Sequence, residues 1–236
     1  MAPSPTQMAR RAVFEVKTFV AKYPALALPV ARRRHGVVFG PSTQLVIEGF
    51  PRTGTSFAVA AFDQAQPRAV EVACHVHAPA QIVAAVRAGV PAMVVIREPE
   101  DTVLSFVIRH HHVPLSQALR AYIRFYEPLL RHRTDVVTVR FREVTTDFGA
   151  CTRRLNERFG TSFAEFEHSE ENVQRVFAAI EADYERRVSG EALERSVARP
   201  SEFRATLKDE LRERYRAPAL AALRDRAERC HDAMTQ

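Results

Sequence analysis

The sequence predicts an α/β fold, a mainly parallel sheet with helices on both faces, and three observations carry that expectation. Short apolar runs rich in β-branched residues recur at 45–47, 69–76, 92–96 and 135–141, each with the length and composition of a buried strand. Longer stretches of helical periodicity separate them, so the order reads βαβαβααβα, which calls for a parallel sheet with right-handed crossovers. The 236 residues, 46% hydrophobic and 26% charged, suffice for one such domain with a real core.

Residues 1–7, polar and with two prolines, are expected to lack structure. Residues 8–22 predict a basic amphipathic helix: Val13, Phe14, Val16, Phe19 and Val20 alternate with Arg10, Arg11, Lys17 and Lys22. Pro24 to Pro29 should break it, and the basic run Arg32-Arg33-Arg34-His35 follows. The expectation is a helix packed on the domain with a solvated basic turn. Peripheral contact with an anionic lipid surface is the alternative.

Leu45-Val46-Ile47 is the first strand. Gly49, Pro51 and Gly54 end the run, and Ser56 to Phe62 resume with small and apolar residues suited to a packed helix. The second strand is expected over 69–76. A helix over 79–89 has a proline start and a glycine stop. The third strand, 92–96, is followed by helices over 100–111 and 115–132. The fourth strand spans 135–141, and a helix over 150–159 closes at Gly160. From Ser169 the chain reads as charged helix over 172–187 and 201–233, broken at Gly190, Pro200 and Pro218. The organisation is an N-terminal tail and helix (1–43), an α/β core (44–168) and a helical cap of the same domain (169–236).

A formal net charge of +6 and a pI of ≈ 9.6 favour anionic partners. Acids interleave with the arginines through most of the chain, whereas a nucleic-acid footprint wants a basic stripe with few acids, so no nucleic-acid partner is expected. The three cysteines, Cys74, Cys151 and Cys230, lie far apart, which suits neither a disulfide framework nor a zinc site and fits a reducing, cytoplasmic setting. No apolar run reaches the length of a membrane span, and no signal peptide is read at the N-terminus.

The stretch richest in chemistry is Gln44 to Phe57. A strand, a glycine-bearing loop and a helix start make an anion cradle: backbone N–H groups point into the loop and the helix dipole adds about half a positive charge. Arg52 brings a fork of donors to the same place. Gly49-Phe-Pro-Arg-Thr-Gly54-Thr55-Ser56 follows the P-loop spacing G-x-x-x-x-G-K-[ST] except that Thr55 holds the lysine position. That lysine serves the terminal phosphates of ATP or GTP, so its absence weakens a nucleotide kinase or NTPase reading. Val94-Val95-Ile96 ends in Arg97 rather than the acid such an enzyme needs.

Pro51-Arg-Thr-Gly-Thr-Ser-Phe57 resembles instead the loop of the sulfotransferases that use 3′-phosphoadenosine 5′-phosphosulfate (PAPS), usually Pro-Lys/Arg-Ser-Gly-Thr-Thr-Trp. The likeness extends over about 45–163. It implies a P-loop-like three-layer α/β fold, with the donor's 5′-phosphosulfate held by Arg52, Thr53, Gly54, Thr55, Ser56 and Phe57. Arg97 and Ser105, in Arg97-Glu-Pro-Glu-Asp-Thr-Val-Leu-Ser105, are similar to the family's arginine and serine for the 3′-phosphate, with Arg-Glu-Pro where the family has Arg-Asp-Pro. His75-Val-His77-Ala-Pro79 resembles Lys-Thr-His-Leu-Pro, whose histidine takes the acceptor's proton, which makes His77 the catalytic base, Arg52 its partner in catalysis and His75 a helper. Phe141 stands where the family often has tyrosine. The family's Arg-Lys-Gly…Gly-Asp-Trp tail is missing; the late cations Arg199, Arg204 and Lys208 are similarly placed and are read as a solvated helix face, with contact to the 3′-phosphate the alternative.

The resemblance thus implies sulfuryl transfer from PAPS to a hydroxyl of a small molecule, glycan or lipid, with 3′-phosphoadenosine 5′-phosphate (PAP) as product and no metal. A non-catalytic nucleotide-binding module would share every binding residue. His110-His111-His112 invites a metal, but neighbouring residues on a helix diverge.

Overall fold

The computed structural model describes residues 4–33, 37–186 and 202–236. Its centre is a four-stranded, wholly parallel sheet in the order β2-β1-β3-β4, built from β1 (Leu45–Gly49), β2 (Val72–Cys74), β3 (Ala92–Ile96) and β4 (Val137–Arg140). The register pairs Ile47 with Cys74, Gly49 with Val95 and Ile96 with Arg140. From β1 the chain goes first to one neighbour and then to the other. The carboxyl ends of β1 and β3 therefore flank the crevice where ligands of open α/β sheets bind.

Each face of the sheet has its own core, because successive strand residues point to opposite sides. Val46, Val94 and Ile96 pack under α4 (Pro79–Ala88), α5 (Pro99–Arg109), α6 (Leu115–Tyr126) and the C-terminal helix Ala221–Thr235. Leu45, Ile47, Met93, Val95 and Val139 pack under α3 (Thr55–Ala65), α8 (Phe148–Phe159) and α9 (Glu170–Glu185). The α/β architecture with helices on both faces is as expected.

Several boundaries differ, each for a local reason. α1 (Pro5–Val20) begins inside the tail expected to lack structure, since Ser4 and Gln7 form a capping box around its first turn. The segment expected to break the helix is itself α2 (Pro24–Arg32). Pro24 sits where an N–H is unbonded anyway, and the chain turns instead at Ala21–Tyr23. β2 covers only three of the eight residues expected, because His75 and His77 take left-handed backbone conformations (φ 61° and 52°) that leave the sheet. The helix expected over 115–132 tightens to a 3₁₀ segment at Glu127–His132, where Pro128 has no N–H to continue the α ladder. β4 stops at Arg140 and a short helix, α7 (Phe141–Thr146), starts at once. Gly190 and Pro200 lie outside the described residues.

Candidate anion cradle and its neighbouring histidine

β1 delivers its last residue, Gly49, against β3 so closely that a side chain is excluded. A Cβ there would lie 2.5 Å from the Val95 carbonyl oxygen and 2.5 Å from Thr53 Oγ1. Phe50 anchors the turn in a cluster with Phe106, Tyr122 and Phe125. Its N–H donates to the Tyr126 hydroxyl at 3.2 Å, which in turn donates to the Val95 carbonyl at 2.8 Å. Thr53 Oγ1 donates to the Phe50 carbonyl (2.7 Å) and meets Thr55 Oγ1 at 3.3 Å. These two buried hydroxyls brace the loop from inside. Gly54 (φ 95°) then caps α3. Unlike α8 and α9, whose first turns are capped by Asp147 and Ser169, α3 has neither a side-chain cap nor an acid in its first turn. Its leading N–H groups are thus disposed toward an anion. The Phe57 ring is buried against Phe166 and Phe177, so this residue offers the cradle its backbone alone.

Arg52 sits at the loop's apex with φ 77°, and its Nε donates to Ser105 Oγ at 3.0 Å. Asp101, Ser105 and Arg109 are spaced four apart and form one column on α5. The far end of that column reaches α9, where Arg109 donates to the Tyr184 hydroxyl at 3.3 Å and lies over its ring. Burial would raise the Tyr184 phenol, but donation from Arg109 and Ser56 and the charges of Arg109 and Arg52 outweigh it and hold the phenol below its usual range.

Arg97, at the carboxyl end of β3, occupies the near end of the column. Its guanidinium lies 4.1 Å from the centre of the Phe141 ring and pairs with Asp101 at 3.2 Å. Phe141 also underlies Gly54. Arg97 Nε is buried and has no hydrogen-bond partner, a donor that a phosphate oxygen would satisfy. Lys208 pairs with the same Asp101. Burial works against ionisation of Asp101, yet Lys208 and Arg97 hold it below the usual carboxylate range. Arg97 and Ser105, expected as a pair, thus have separate neighbours: Phe141, Asp101 and Lys208 for the first, Arg52 for the second. Arg199 and the side chain of Arg204 lie outside the described residues.

The histidines stand on the other side of β1. Glu48, fully buried, accepts from Val76 N (2.8 Å), His77 N (3.2 Å), Gln81 Nε2 (2.9 Å) and Gly49 N (3.3 Å). The bonds from Val76 and His77 tie the left-handed turn after β2 to the end of β1, beside Gly49. Burial pushes the Glu48 carboxyl up to about 8, against the pull of those donors. His77 Nδ1 lies 2.8 Å from the Gly49 carbonyl oxygen. A carbonyl only accepts, so this contact assigns the proton to Nδ1 and leaves Nε2 as a basic lone pair. Burial, joined by the charges of His75, Lys17 and Arg109, holds the ring well below the usual imidazole range despite the Gly49 bond, while 31% of the side chain stays exposed.

Arg52, His75 and His77 are the described non-glycine residues with positive φ. Such conformations cost about 1–3 kcal/mol each and persist where the surroundings enforce them. His110 to His112 diverge, with neighbouring rings nearly perpendicular, and among the described residues no group of three His, Cys, Asp or Glu could hold a metal.

Glu48, Tyr126, Arg109 and Tyr184 belong to this site and were not singled out from the sequence. An acid closing an apolar strand was the signal for Glu48. Tyr122 and Tyr126, four apart on one helix face, were a fainter one. Nothing local marks Arg109 or Tyr184, which meet only through tertiary packing.

No known family model and no curated protein matches the sequence. Among solved structures the chain is similar to mouse sulfotransferase SULT7A1 complexed with PAP, at 13% identity over 81% of this chain and 90% of that one, with a TM-score of 0.44. At that identity and overlap, the functional reading rests on the residues of this chain.

Proposed function

We propose that the protein is a sulfotransferase that uses PAPS to sulfate a hydroxyl acceptor. The observation that carries this reading is the juxtaposition of an uncapped, glycine-shaped cradle, whose cation is Arg52, with a histidine held in the tautomer of a general base by the cradle's own Gly49 carbonyl. When bound, the donor supplies an activated sulfuryl group. The chain's residues do the rest. The N–H groups of residues 54–57 and Arg52 receive the 5′ anion, and Arg52 meets charge that grows on the leaving oxygen. Arg97, with its unpartnered Nε and with Lys208 nearby, receives the 3′-phosphate. His77 Nε2 takes the acceptor's proton. With Nδ1 carrying the ring's proton toward Gly49, Nε2 offers the free lone pair at neutral pH.

The test compares ligands that differ only in the 3′-phosphate. PAP at a hundred times its dissociation constant should stabilise the protein by about 2.7 kcal/mol. AMP at the same concentration should do markedly less, and EDTA should not alter the effect. Equal thermal shifts with AMP and PAP refute the role of Arg97. Magnesium-dependent ATP hydrolysis replaces this reading with the kinase or NTPase one. Turnover of PAPS with a panel of alcohols and phenols separates an enzyme from a binding module.

A further inference from the structure

Among the described residues, every large hydrophobic side chain that is mainly exposed belongs to one short stretch: Met8, Val13, Val16, Phe19, Tyr23, Leu26, Val30 and Val37. Val13, Val16 and Phe19 are 67%, 63% and 51% exposed on α1, and Leu26 and Val30 are 55% and 53% exposed on α2. Spacings of three keep Val13, Val16 and Phe19 on a single outward stripe of α1. The opposite side of α1 is occupied. Phe14 packs on Phe106, Arg11 Nε donates to the His112 carbonyl at 2.8 Å, and Glu15 is paired with Arg120 and Arg124. α2 is seated through Leu28 and Ala31 on Val76, Ala78 and Ala80. The hairpin is thus docked on the domain with an apolar stripe facing outward.

Its charge is one-sided. Between residues 4 and 33 the chain carries Arg10, Arg11, Lys17, Lys22, Arg32 and Arg33 but only one acid, Glu15, and that acid is turned inward. Lys22 lies over the rings of Phe19 and Tyr23, 4.7 and 5.1 Å from their centres, at the junction of the stripe and its cationic flank. Beside it a groove of about 650 Å³ brings in Arg87 and Arg131. The acid lining that groove, Glu127, is already held by both oxygens on Arg226.

We propose that the α1–α2 hairpin docks the protein on an anionic lipid surface. Its apolar stripe enters the headgroup boundary, and Lys22, Arg33, Arg87 and Arg131 meet lipid phosphates and carboxylates. A basic helix with aliphatic and aromatic residues on its other face is the form that binds in the plane of such an interface, and each nearby cation strengthens the attraction to anionic lipid. A second copy of the chain is a poorer occupant, because self-association through this face would set cations against cations. The inference is independent of the sulfotransferase reading.

The experiment is co-sedimentation of the full chain with vesicles of phosphatidylcholine, with and without roughly 30% phosphatidylserine. The protein should pellet with the anionic vesicles and not with the neutral ones, and high salt should release much of it. Phe19→Asp with Leu26→Asp should lower the partition coefficient at least about tenfold, and Lys22→Glu with Arg33→Glu should remove the preference for phosphatidylserine, all with thermal melts like wild type. Val16→Ser, a milder change on the same stripe, should weaken binding with no effect on folding. Wild-type protein that stays in the supernatant with anionic vesicles overturns the proposal. So does pelleting that ignores these substitutions, or a concentration-dependent dimer in sedimentation velocity that Phe19→Asp abolishes.

Discussion

The turn at Gly49–Gly54 and the α1–α2 hairpin are both built of apolar and basic residues, and they use them in opposite senses. In the turn, polar groups point inward and are satisfied. Glu48, Thr53 and Thr55 are buried, each with hydrogen-bond partners, and Tyr126 links Phe50 to β3. That network holds the backbone away from its preferred conformations at Arg52 and, next door, at His75 and His77. In the hairpin no residue of α1 is buried and every non-glycine backbone angle is ordinary, yet the apolar side chains face out. A buried polar network keeps its shape only while every member is paired. An exposed apolar stripe keeps its shape regardless, because nothing there depends on it.

The difference becomes a series of expected effects. The largest is on folding. Glu48→Ala removes the acceptor of four N–H groups and should cost at least about 3 kcal/mol, read as a drop in urea midpoint. A near-neutral result would mean that water replaces the carboxylate and that the network does not shape the turn.

Next is catalysis. His77→Gln keeps an N–H donor for the Gly49 carbonyl but removes the lone pair, so turnover should fall about a hundredfold, roughly 2.7 kcal/mol in barrier, with PAP affinity retained. Wild-type turnover on a confirmed acceptor places the base elsewhere, and loss of PAP binding makes His77 a donor contact. Smaller again, Arg97→Ala should weaken PAP about tenfold or more and leave AMP almost unchanged, whereas Arg52→Ala should reduce both donor affinity and rate. Unchanged PAP affinity in Arg97→Ala would end the division of labour between the two arginines.

The pH response is more modest. The folded state refuses a proton at His77 that the unfolded chain accepts below its ordinary pKa near 6.5. Through His77, stability is therefore present at neutral pH and falls as the solution is acidified below that value, by at most about 1.4 kcal/mol per pH unit. His110, lowered to about 4 chiefly by burial, acts in the same direction. Glu48, raised to about 8, acts oppositely, favouring the folded state as pH falls from about 8 toward 4.5. Comparing wild type with His77→Gln at pH 7 and pH 5.5 isolates the one group: the variant should lose less stability on acidification. An identical loss would show that His77 is protonated as easily folded as unfolded. The smallest effect belongs to the hairpin. Phe19→Asp should change stability by no more than about 0.5 kcal/mol, and a large loss would show that the stripe is packed after all.

Much of the fold was legible because its signals are local. β3 coincides with the residues expected for it, and α4 runs from Pro79 to a left-handed Gly89 as its proline and glycine require. The helix N-terminus after Gly54 and the cluster of candidate residues on the carboxyl edge of β1 and β3 were legible for the same reason. The second strand was overestimated because alternation along 69–76 suits a strand; the left-handed turn at His75 and His77 comes with tertiary contacts, Glu48 accepting from Val76 and His77 and the Gly49 carbonyl meeting the His77 ring. The segment at Pro24–Pro29 was misjudged because a helix two or three turns long can place one proline at its start and tolerate another within it when tertiary contacts through Leu28 and Ala31 hold it.

The order of residues alone determined the fold class, most of the strands and helices, the glycine turns, and that an arginine rather than a lysine stands in the loop after the first strand. Those are matters of side-chain period, backbone sterics and chemical type, each decided within a few residues. The pairing of Arg52 with Ser105, the tautomer of His77, the reach of Arg109 to Tyr184 and the outward turn of the α1 stripe were decided by packing. They join groups distant in the chain, and the energy that selects them comes from burial and hydrogen bonds that exist only once the sheet has brought those groups together.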